Sequence, residues 1–174
     1  MTFKAFDAIL QPDPRFEGLH MVESGVPGSR QMRPQDHHSS LSRIKLSGIA
    51  PIDVHNAIDR ARNTMIYVFF DYDLFVVGEV QAFGSFELAL KHRINGHGGI
   101  SRGTLRNLVE RGRKLGLLPR EIVDGRMLVD PLNALIELRN GLSHGTSDIH
   151  TPGMALPVLE MCVHWIDHVY PPPA

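Results

Sequence analysis

Arg139, Asn140, Ser143 and His144 crowd into six residues, flanked by Gly141 and Gly145. A guanidinium matches a phosphate in shape and charge. An imidazole is the side chain that titrates near neutral pH. Together they have the chemistry to hold a phosphodiester and move a proton beside it. Leu128, Leu132, Leu135, Arg139 and Leu142 recur at three- and four-residue steps, so Arg139 falls within an apolar helical stripe. A cation there needs a partner. Asn140 and His144 are four apart, which stacks them one turn apart on a continuing helix. The same residues also spell an ordinary helix ending, with Arg in the last turn and Gly145 as the left-handed stop.

The elements that position this cluster can be read in order. Asp130-Pro131 is a cap and first helical residue for the motif helix. Pro51, with Asp53 in the first turn, opens an earlier helix that runs to about Phe70; Arg60 and Arg62 on its middle are read as solvated, with contact to substrate as the alternative. A second runs from Asp73 to about Ile94 and is apolar over most of its circumference, so it belongs at the centre. One of its stripes is Val76, Val80, Phe83, Glu87, Leu90 and Ile94. Glu87 is costly there unless paired. It and Arg139 are expected to meet or to line one polar pocket; the alternative is a carboxylate that reaches water past a short neighbour. Glu79 is the other candidate for this role; its alternative is simply to face water.

Asn95 to Gly99 is a loop, with His97 exposed. Thr104 caps a third helix to about Leu117, ended by Gly116 and Pro119. Arg106, Arg111, Arg113 and Lys114 make it basic. Asp124-Gly125 marks a turn. The last helix spans about Met154 to Tyr170. His164 and His168, with Glu160, have a spacing that can bind zinc, but a hydrogen-bonded or solvated face is favoured and no metal is assigned. Residues 1–48 form an irregular N-terminal arm: Pro12, Pro14, Pro27 and Pro34 interrupt helices, Arg43 to Leu46 alternates like a short strand, and His37-His38 reads as an exposed loop pair.

The expected fold is all-α: an up-and-down bundle of four to five helices over residues 49–174, behind the arm. Composition is that of an ordinary globular chain, with net charge −1. That balance argues against a general nucleic-acid coat. The charge is uneven, because Lys91 to Arg126 holds nine Lys/Arg against three acids. A basic segment on an acidic body suits a local phosphate contact or a solvated helix face. One cysteine, Cys162, excludes an internal disulfide. No apolar run is long enough to span a bilayer, and a cytoplasmic location is expected.

The string Arg139-Asn140-Gly141-Leu142-Ser143-His144 resembles the R-N-x-x-x-H signature of the HEPN superfamily, and the likeness extends over about residues 50–170. These are small all-helical domains, many of them metal-independent endoribonucleases of toxin–antitoxin, abortive-infection and RNA-processing systems. The resemblance implies RNA as partner, cleavage by 2′-hydroxyl attack to leave a 2′,3′-cyclic phosphate, and no cofactor. It also implies a homodimer with two motifs facing across a two-fold axis, and an antitoxin protein as a further partner. On this reading Arg139, Asn140 and His144 are catalytic, Glu87 and Ser143 support them, and Arg106, Arg111, Arg113 and Lys114 bind RNA. The rival expectation is a non-catalytic module of the same type that binds RNA, nucleotide or a protein.

Overall fold

The computed structural model describes residues 3–96, 103–121, 130–144 and 147–173. Leu128, His97, the Asp124-Gly125 turn and Gly145 lie outside them. Six α-helices and one two-stranded hairpin make up the described fold: α1 Pro34–Arg43, α2 Ile52–Ile66, α3 Leu74–Gly96, α4 Leu105–Lys114, α5 Pro131–Ser143 and α6 Pro152–Val169, with β1 His20–Met21 antiparallel to β2 Arg30–Gln31. The fold is all-α, as the periodicity requires.

Local chemistry sets several boundaries. Thr104 accepts from Asn107 N–H while Asn107 reaches back to the Thr104 N–H, a reciprocal cap for α4. Asp130 accepts from the N–H groups of Leu132 and Asn133, and Pro131 occupies the first turn of α5, where no donor is missed. α2 ends at Ile66 and tightens into a 3₁₀ turn over Tyr67–Phe69.

α3 is the hub. α2 runs antiparallel to it, since Asp53 at the start of α2 meets His92 near the end of α3 and Thr64 meets Gln81. α6 runs alongside α3 in the same direction: His150, just before α6, meets Glu79, and the Tyr170 hydroxyl at its end donates to Ala89 O. α5 returns antiparallel to α4, with Arg106 on Glu137 and Arg113 on Asp130. One large core joins Val54, Ile58, Met65, Phe83, Phe86, Leu90, Leu135, Leu159 and Ile166. A smaller aromatic cluster gathers Phe16, Phe69, Tyr72 and Phe75.

The first 48 residues are more ordered than their prolines suggest. Pro34 starts α1 instead of breaking a helix, because a first-turn proline loses no hydrogen bond. Arg43 to Leu46 forms no strand. Leu41 and Ile44 are buried in the main core. His37 is 2% exposed, not part of a surface pair. Its Nε2–H donates to Met65 O at 2.6 Å, and burial pushes its pKa below the ordinary 6.5. Asp167 accepts from the N–H groups of Ser47 and Gly48 and from the Ser47 hydroxyl, which latches this segment to α6.

Candidate functional site

The expected meeting of Arg139 and Glu87 is present. Arg139 Nε donates to Glu87 Oε1 at 3.2 Å, and Nη2 lies 3.1 Å from the same oxygen. The other carboxylate oxygen faces Lys91 Nζ at 3.9 Å, one turn along α3. Two cations therefore share one anion. The arginine side chain is 26% exposed and Glu87 15% exposed, so the pair lies at the edge of the core with one flank open. A guanidinium tied down at one edge and wet at the other is oriented before any ligand arrives.

The remaining motif residues crown the end of α5. Asn140 is half-buried, while Ser143 and His144 are exposed. His144 ends the helix: its backbone N–H donates to Asn140 O, and no described residue pairs with its imidazole. The ring is thus exposed to solvent, and no described residue orients it.

The basic face of α4 is partly spent. Arg113 Nη2 reaches Asp130 Oδ1 at 2.6 Å, with the two side chains 13% and 5% exposed. Arg113 therefore fixes α4 to the start of the motif helix. Arg106 pairs with Glu137 at 2.5 Å, both solvent-exposed. Arg111 and Lys114 are exposed.

Two neighbourhoods differ from the sequence expectation. Glu79 does not face water: it is fully buried, with Oε1 2.6 Å from His150 Nδ1. Oε2 is buried with no hydrogen-bond partner among the described residues. Burial raises the Glu79 pKa, and the His150 contact offsets part of that rise. His150 lines a shallow depression of about 310 Å³ with Leu138, Gly141, Leu142 and Asp148, beside the end of α5. No sequence signal links His150 to a carboxylate 71 residues earlier. Val80, on the expected inward stripe, is 40% exposed. Lys91, by contrast, was findable, because it stands four residues after Glu87. His164 and His168 flank Trp165, and no group of three metal-ligating side chains occurs among the described residues.

No family model, no curated protein and no solved structure matches the chain. No helix among the described residues is long and apolar enough to cross a membrane.

Proposed function

We propose that this chain is a metal-independent endoribonuclease of the HEPN type. The observation that carries the reading is the Glu87-held Arg139, five residues before an exposed His144 that caps the same helix and that no described residue pairs with. In the proposed reaction the 2′-hydroxyl oxygen attacks the adjacent phosphorus and the bond to the 5′-oxygen breaks. The products are a 2′,3′-cyclic phosphate and a 5′-hydroxyl. The His144 imidazole accepts the 2′-hydroxyl proton. Arg139 offsets charge on the phosphorane, and Asn140 and Ser143 donate to its oxygens. Protonation of the leaving oxygen calls for a second imidazole, which a two-fold related copy supplies.

The test incubates end-labelled RNA with wild type and His144→Ala, each in excess chelator. Cleavage by the wild type alone, ending in a cyclic phosphate, supports the reading. Activity that survives His144→Ala, or that the chelator abolishes, overturns it. A strictly monomeric protein at micromolar concentration removes the second imidazole and with it the two-fold step.

A second reading, a non-catalytic module that binds RNA, nucleotide or a protein partner, has its own support. Arg139 already spends two of its nitrogens on Glu87. Retained oligonucleotide binding without cleavage supports it.

A further inference from the structure

α3 contains two mid-helix glycines that face different surroundings. Gly78 is explained by packing, since an added Cβ there would lie 2.5 Å from Met65 Cγ. Gly84 is not: a Cβ there would meet nothing within 4 Å. A glycine inside a helix costs roughly 0.5–1 kcal/mol relative to alanine, so Gly84 is a destabilising choice with no packing reason. What lies over it is a groove of about 330 Å³ between α2 and α3, lined by Arg60, Gln81, Gly84, Ser85, Leu88 and Lys91. That volume falls within the about 300–1,000 Å³ of small-ligand clefts.

The groove walls are cationic. Arg60 is exposed, and no described residue pairs with it. The neighbouring carboxylate, Asp59, is taken by Arg62 at 2.6 Å. Across the groove, Lys91 shares Glu87 with Arg139. Gln81 Oε1 accepts from the Thr64 hydroxyl, which leaves its amide nitrogen as the donating end. The groove lining itself thus carries two cations and no carboxylate, around an opening that one absent side chain keeps clear.

We propose that this groove is a phosphate-binding subsite, with Arg60 and Lys91 as its cations and Gly84 as its floor. It rests on the RNA reading for its source of phosphate: the subsite seats a backbone phosphodiester next to the one held by Arg139. Lys91 and Glu87 form the connection between the two positions.

The fold-safe probe is Gly84→Met, which fills the groove from open space and raises helix propensity. Arg60→Gln removes the charge alone. Each full-length variant is compared with wild type for binding a 2′-O-methyl oligonucleotide of about 12 residues, which lacks the attacking hydroxyl. Both variants are expected to lose about tenfold or more in affinity, with the thermal midpoint unchanged for Arg60→Gln and raised for Gly84→Met. Arg60→Gln should also flatten the plot of log affinity against log salt by about 0.7, the value of one single-strand phosphate contact. Affinity and salt slope unchanged in both variants overturn the subsite, as does a wild type that binds neither the oligonucleotide nor inorganic phosphate. Inorganic phosphate that binds in a Gly84- and Arg60-dependent manner, with no oligonucleotide bound, keeps the site and assigns it to a free phosphate. Oligonucleotide binding that depends on Gly84 and Arg60, with no cleavage of ordinary RNA, keeps the site and sinks the nuclease.

Discussion

Helix α3 presents two glutamates eight residues apart, and their surroundings are opposite. Glu87 sits at the rim, bonded to an arginine and flanked by a lysine. Glu79 is fully enclosed, about 12 Å away along the helix, with one histidine and one unsatisfied oxygen. The first environment holds its charged groups against one another and leaves one flank open to solvent. The second opposes charge, and burial raises the glutamate's pKa. An arginine that cannot lose its proton suits work on a phosphate. A buried carboxylate on a histidine suits tying a loop to the core, at an electrostatic cost. One helix thus separates a half-open ion pair at the rim from an enclosed carboxylate that ties a loop to the core.

Removing Arg139 gives the sharpest contrast. Arg139→Ala is expected to lower RNA cleavage by about 10²–10³-fold, the usual cost of one transition-state charge donor. Its thermal midpoint should move little, because Glu87 keeps Lys91 and some water. A large stability loss with intact cleavage would reverse the roles assigned to the two regions.

Glu79→Ala should do the opposite. It leaves a cavity and an unpaired, partly buried imidazole, together about 2–4 kcal/mol. Urea titration measures this. A loss below about 1 kcal/mol would show that the pair is not a structural tie.

The pH response separates the regions further. The folded-state pKa of Glu79 is raised above 4.5. The folded chain therefore holds that proton more tightly than the unfolded chain. The contribution is present below pH 4.5 and is lost as pH rises through the raised value. Glu79→Gln should flatten this fall in thermal midpoint. His37 works the other way. Burial depresses its pKa, so its contribution is present above 6.5 and is lost as pH falls through the depressed value. Exchanging Arg139 for lysine should change neither slope.

The smallest effects concern the two glycines. Gly84→Ala should stabilise by about 0.5–1 kcal/mol, since its Cβ meets open space. Gly78→Ala should destabilise by about 1–3 kcal/mol through overpacking against Met65. Equal signs for the two would remove the argument that packing explains only one of them.

What the sequence revealed follows the range of each interaction. Thr104 and Asp130-Pro131 were legible because caps are made by neighbours. The Arg139–Glu87 pair was legible because two charges, each caught in an apolar stripe, must find one another. Glu79 was misplaced because α3 is apolar nearly all round. With no polar face to set the phase, Val80 and Glu79 could not be told apart by period. His37 was misplaced for a different reason. Its burial depends on how the first 48 residues dock, and their prolines conceal a ten-residue helix. The His150 partnership spans a loop and carries no local sign.

The clasp of Ser47 and Gly48 on Asp167 joins positions 120 and 119 residues apart. A growing chain emerges from the ribosome amino end first, so Ser47 and Gly48 are made long before their anchor exists. Helix α1 itself is tied to α2, through His37 on Met65 O and Arg62 on Leu41 O, so only the clasp waits for the last helix. A message truncated before residue 167 therefore yields a product that lacks this clasp.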